Sequence, residues 1–162
     1  MVSMQANMIS FVALWPLITA VASPLSLAAF YSSAPFKNAD DNTTSCQNSS
    51  LLNNQLSSKS PRAEDCQAIG SYAAEHHGEW EIPGSAGTPW LLLHFEGTCA
   101  LVARPGPGNR LDTLIGSADV AEIAGLAYGG SSGTRNEAQG TWERCGCDAC
   151  SAAVQWWFTG DF

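Results

Sequence analysis

Apolar positions fall into one continuous run, two stretches with helical spacing, and several short runs that alternate or stay apolar throughout. The continuous run, residues 8–22 (MISFVALWPLITAVA), ends in the small-residue pattern Ala20-Val21-Ala22. It is short for a bilayer span and broken by Pro16, so it predicts a secretory signal peptide cut after Ala22, or after Ala29. The residues before it carry no Lys or Arg, and a retained membrane anchor is the competing reading. No second run of this kind follows, so stable membrane insertion is not expected after cleavage.

Residues 23–59 are rich in Ser, Asn and Thr and poor in apolar periodicity, and they predict a loosely packed arm. Ser60-Pro61 opens the ordered part, residues 60–162, with a helix capped there or at Asp65. Cys66, Ile69, Tyr72, Ala73 and His76 share one face of that helix, and Gly78 ends it. Gly70 in its interior costs about 1 kcal/mol relative to alanine, so close packing is expected there. Trp80 to Pro89 predicts a turn-rich link. Trp90-Leu91-Leu92-Leu93-His94-Phe95 is an apolar strand that Glu96-Gly97 turns into a second strand through Cys99. Beyond the Pro105-Gly106-Pro107-Gly108 loop, Ser117 caps a second helix with Val120, Ile123, Ala124 and Ala127 on its inner face. Gly140-Thr141-Trp142-Glu143-Arg144 and residues 152–158 close the domain as strands. In the last, Val154, Trp156 and Phe158 alternate with Ala153, Gln155 and Trp157. These elements predict an α+β fold: a small disulfide-stabilised sandwich, two helices packed on an antiparallel sheet.

Seven Lys and Arg against 15 Asp and Glu give a formal charge of -8. That balance argues against nucleic acid and against polybasic attachment to anionic lipid. Six cysteines (Cys46, Cys66, Cys99, Cys145, Cys147 and Cys150) in an exported chain pair most simply as three disulfides, with the connectivity open. A zinc knuckle of Cys145-Gly146-Cys147-Asp148-Ala149-Cys150 with His76 or His77 competes, but an oxidising route removes the thiolates it needs. No metal or other cofactor is expected. Two glycosylation sequons, at Asn42 and Asn48, flank Cys46, which would pin the arm to the domain.

No constellation of catalytic residues stands out. Asp119 and Glu122 answer to a helix dipole, and no nucleophile-elbow serine or phosphate-binding glycine loop is present. The chain is therefore read as non-enzymatic. Six tryptophans leave recognition as the better-supported activity, with Trp80, Trp90 and Trp157 as candidate anchors and Trp142 and Trp156 assigned to the core. Glu79 and Glu81 flank Trp80 in an arrangement that could also touch sugar.

The order of short motifs resembles the fungal secreted necrosis-inducing effector domain, the family of homologues of a leaf-mould extracellular effector. The matching pieces are Cys46-Gln47-Asn48-Ser49-Ser50, Ser60-Pro61, Asp65-Cys66-Gln67, Gly97-Thr98-Cys99-Ala100, Ile115-Gly116-Ser117-Ala118-Asp119-Val120, Gly140 with Cys145, and Val154-Gln155-Trp156. The sequence departs from the family pattern at Leu101-Val102 and in the extra cysteines around Cys145. The resemblance implies structural roles for Cys46, Cys66, Cys99 and Cys145, and a helix-start role for Asp119. It also implies a secreted, extracellular protein acting on a component of a host plant or of a competing microbe. The family is similar in fold to the smut killer toxins, which makes an antifungal, channel-affecting protein the alternative. A cell-wall carbohydrate-binding protein is a further one.

Overall fold

Strand residues in this chain sort into two sheets. The computed structural model describes residues 31–54, 58–85, 87–129, 134–146 and 152–160. The expected signal peptide and its cleavage positions, Cys147 and Cys150 lie outside the described residues. The larger, six-stranded sheet has the order β1-β5-β6-β9-β8-β3. Its members are β1 (Ser32–Ser33), β3 (Asn48–Asn54), β5 (Leu91–Glu96), β6 (Cys99–Pro105), β8 (Glu137–Glu143) and β9 (Ala153–Thr159). All pairings are antiparallel except β1 with β5. The smaller, three-stranded sheet runs β2-β4-β7, from β2 (Phe36–Asn38), β4 (Gly78–Ile82) and β7 (Thr113–Gly116). Helices α1 (Ala63–Glu75) and α2 (Ser117–Tyr128) complete the described elements.

The α+β class with two helices and disulfides stands, but the expectation of two helices on one sheet is corrected by the second sheet. Two sequence features hid the additional strands. In β4, Gly78, Trp80 and Ile82 are buried in alternation with Glu79 and Glu81, yet the prolines and glycines that follow mark the segment as a link. In β3, the sequence NSSLLNN is an edge strand whose Leu51 and Leu52 stay exposed, so it carries no burial pattern to recognise. The arm is thus built into the fold: β3 pairs with β8 along its length, from Asn48 opposite Glu143 to Asn54 opposite Glu137.

One side of the large sheet carries the core. Leu91, Leu93, Leu101, Ala103, Val154, Trp156 and Phe158 join Ile69 and Ala73 of α1, Val120 and Ile123 of α2, and Trp80, Ile82 and Ile115 of the small sheet. The helices pack tightly on each other. A Cβ added at Gly70 would lie 2.6 Å from that of Ala124, which explains a glycine in mid-helix. Helix α1 starts after Arg62 with no side-chain cap of its own. The β5–β6 turn supplies one instead: the Arg62 N–H donates to Thr98 Oγ1 (2.9 Å), whose hydroxyl donates to Asp65 Oδ2 (2.6 Å). The Cys66–Cys99 disulfide fixes the same corner. Gly97 turns there with φ of 51°, and a side chain on it would strike the Asp65 carboxylate.

Helix α2 is organised by Asp119. Its Oδ2 accepts from the Gly116 N–H (2.9 Å) at the helix start and from the Ser45 (2.8 Å) and Cys46 (3.2 Å) N–H groups of the arm. The Cys46–Cys145 disulfide then ties the arm to the end of β8. Among the described residues, no helix is long and apolar enough to cross a membrane.

Candidate functional site

The opposite side of the large sheet has no described element packed over it. Its apolar centre is Leu92, Ala100 and Val102, flanked by the partly buried Tyr31, Trp90 and Trp157. Strand alternation puts these residues there: β6 sends Leu101 and Ala103 to the core and Val102 and Arg104 outward, and β9 does the same with Trp156 and Trp157. Register then builds two cross-strand rows. Leu92, Val102, Trp157, Gln139 and Leu52 face one another across five adjacent strands. The neighbouring row is Arg104, Gln155, Thr141 and Ser50.

Arg104 joins the rows. Its guanidinium carbon lies 4.4 Å from the Trp90 ring centre, and Trp90 meets Trp157 at 6.1 Å. Its Nε–H donates to Gln155 Oε1 at 2.9 Å. That amide holds the guanidinium plane across the sheet surface, with its terminal nitrogens directed to no other described partner. Two grooves meet at Arg104 and Gln155. One, of about 300 Å³, runs past Trp90, Gln139, Thr141 and Leu52. The other, of about 400 Å³, runs past Thr88, the Pro105–Gly108 loop, Asn109 and Arg110. A chain with 15 acidic and 7 basic residues thus lines this cleft with two arginines and, among the described residues, no carboxylate. Stacking on indole, bidentate donation from arginine and amide hydrogen bonds are the chemistry it offers.

Of the three candidate tryptophans, Trp90 and Trp157 come together here. Trp80 does not, and its assignment as a surface anchor is corrected. It is 2% exposed, packs on Phe36 at 4.6 Å, and donates its indole N–H to the Leu93 carbonyl at 3.0 Å. The register shifts between Leu92 and His94, so Leu93 is the extra residue of a bulge and its carbonyl is open to that side chain. With Trp80 inside, Glu79 and Glu81 point away from it. Glu81 pairs with Lys37 (2.8 Å), and Glu79 accepts from Ser45 Oγ (2.6 Å). Arg104 and Gln155 were not identified as site residues from sequence. The alternation in the last strand put Gln155 and Trp157 on one face, but nothing local connects them to Arg104.

The remaining candidates sit elsewhere. The Tyr72 ring lies between His76 (4.0 Å) and His94 (3.7 Å), with His94 Nε2 3.1 Å from Glu96 Oε1. His76 is exposed, so it does not belong to the buried helix face assigned to it, whereas Tyr72 is half-buried and packs against the core as expected. Cys145 is oxidised onto Cys46, which takes it out of any zinc set, and the described residues hold no group of three or more metal-ligating side chains. Asn42 and Asn48 are both exposed, and Asn42 Oδ1 accepts from the Ser117 hydroxyl at 2.7 Å.

Burial bears on the Asp119 carboxyl. Desolvation raises its carboxyl above the ordinary value, against the three backbone N–H groups that favour the anion.

A family model, Hce2, described as "Pathogen effector; putative necrosis-inducing factor", matches residues 45–145. No individual curated protein matches the chain. The matched span includes both disulfides and Asp119, as well as Trp90 and Arg104 of the cleft; Gln155 and Trp157 lie beyond it.

Proposed function

The chain belongs to the Hce2 family of pathogen effectors, and on that premise we propose that it is a secreted, non-catalytic effector. It acts by docking the cleft on this sheet face against a component of a host plant or a competing microbe. The observation that carries this reading is the cleft around Trp90, Arg104, Gln155 and Trp157. Indoles and an arginine held by a neighbouring amide, on a face that no described element covers, are the residue types that anchor recognition surfaces. Two disulfides support an extracellular setting. Export through the apolar segment at residues 8–22, and sugars on Asn42 and Asn48, complete the proposal.

Leaf infiltration with purified protein tests it. Native protein should elicit a tissue response that reduction abolishes. Trp90→Ala and Arg104→Gln, each shown to be folded by circular dichroism, should lower the response without changing secretion. A response that survives both substitutions, or that is equally strong from reduced and unfolded chain, overturns the docking reading.

A further inference from the structure

We propose that the cleft takes an acidic oligosaccharide: a short chain of pyranose rings carrying carboxylates, of the oligogalacturonate type. The inference rests on the docking reading above and names the chemistry of its ligand.

Charge gives the first argument. The protein carries a net -8, yet Arg104 and Arg110 both line the groove beside the Pro105–Gly108 loop, and no described carboxylate lines either groove. Neither arginine takes part in an ion pair among the described residues, whose pairs are Lys37–Glu81, Arg62–Glu64 and His94–Glu96. Guanidinium matches a carboxylate in two parallel hydrogen bonds, so two of them along one cleft suit a ligand with repeated carboxylates.

Shape and polarity give the second. Trp90 lies beneath the Arg104 guanidinium and is only partly buried. The C–H face of a pyranose ring carries partial positive charge and is drawn to the negative face of an indole, so a sugar meets the part of the Trp90 ring that the guanidinium leaves uncovered. Gln139, Thr141, Gln155 and Thr88 supply the amide and hydroxyl groups that sugar hydroxyls need. An acidic peptide fits less well. These residues stand on the face of a sheet whose backbone is already paired on both sides of β6, β9 and β8, so an extended peptide finds no main-chain partners there. A long nucleic acid extends beyond the cleft onto the acidic remainder of the molecule, and two arginines neutralise too few of its phosphates. At physiological salt repulsion from that remainder is screened beyond about 8 Å, so a short oligomer reaches the arginines with little opposition.

Titration calorimetry with short galacturonic acid oligomers tests the proposal on the full secreted chain. The comparison ligands are cellulose and chitin oligomers of equal length, methyl-esterified galacturonic acid oligomers, and polyglutamate of matched charge. The acidic oligomer should bind at least tenfold more tightly than each of them. Trp90→Ala and Arg104→Gln should each weaken it by about 10- to 100-fold, the loss expected for a stacked ring or a charge-assisted bond. Arg110→Gln provides a second probe of the charge if Arg104→Gln misfolds. Equal binding of neutral sugars, equal binding of polyglutamate, or no binding of the acidic oligomer overturns the proposal. Leaf infiltration of the same variants separates the two readings. A leaf response lost in Trp90→Ala, from a protein that binds no oligogalacturonate, sinks the sugar ligand alone. An unchanged leaf response with intact, Trp90-dependent sugar binding sinks the effector docking alone.

Discussion

Trp80 and Trp156 are both buried indoles, and they differ in what their N–H groups find. Trp80 donates to the bulge carbonyl of Leu93. Trp156 and its neighbour Trp142, whose rings are 5.8 Å apart, have buried N–H groups with no hydrogen-bond partner among the described residues. Removing a satisfied donor strands the acceptor it served, whereas removing an unsatisfied one relieves a desolvation penalty. Trp80→Phe should therefore cost about 2 kcal/mol or more, combining a lost bond with lost packing. Trp156→Phe also loses ring volume, but the relief of its N–H should hold the cost to about 1 kcal/mol. Urea denaturation of the two variants beside the parent protein measures both. A greater loss for Trp156→Phe would show that ring packing alone sets these costs.

The arm, β7 and α2 are joined at element scale by one carboxylate. Asp119 receives the backbone N–H groups of Ser45 and Cys46 from the arm and of Gly116 from the β7–α2 junction. Its burial makes protonation easier in the folded chain than in the unfolded one. The resulting stabilisation is complete below the unfolded carboxyl's pKa and is lost as pH rises through the higher folded value. The unfolding midpoint should therefore rise as pH falls from neutral toward the ordinary carboxylate range. Asp119→Asn, which cannot ionise, should flatten that part of the profile. Thermal unfolding followed by circular dichroism across this window checks it, and identical slopes for both proteins would rule Asp119 out as the source. The same junction explains why a segment without apolar periodicity is ordered: its backbone donors are met by a buried acceptor, and its strand by the edge of β8.

For the whole molecule the two disulfides do different work. Cys66–Cys99 spans 33 residues and fixes the corner where the β5–β6 turn caps α1. Cys46–Cys145 spans 99 residues and closes the arm onto the far side of the domain. Loop-closure entropy assigns about 4 kcal/mol to the first and about 5 kcal/mol to the second. Replacing Cys46 and Cys145 together by alanine should lower stability more than replacing Cys66 and Cys99. It should also make residues 40–54 the first site of proteolysis. Chemical denaturation and limited proteolysis with mass mapping test this, and early cleavage elsewhere would mean that Asp119 and the β3–β8 ladder hold the arm unaided. The long bridge also keeps β3, and with it Leu52 and Ser50, at one end of the two cross-strand rows.

Local periodicity determined a good deal of this protein. The two helices, the β5–β6 hairpin and the final strand follow from spacing that the backbone imposes within a few residues. So does the division of that strand into a Trp156 face and a Trp157 face. The family could be recognised for the same reason, since its motifs are short and ordered along the chain. Tertiary structure alone decided what depends on pairing across long separations. It selected Cys46 for Cys145 and Cys66 for Cys99, turned a polar arm into an edge strand, and closed the bulge at Leu93 over Trp80. It also brought Arg104 to Gln155, 51 residues away, to make the cleft. Strand register fixes which side chains meet, and register is set by the whole sheet, so no local stretch of sequence contains the cleft.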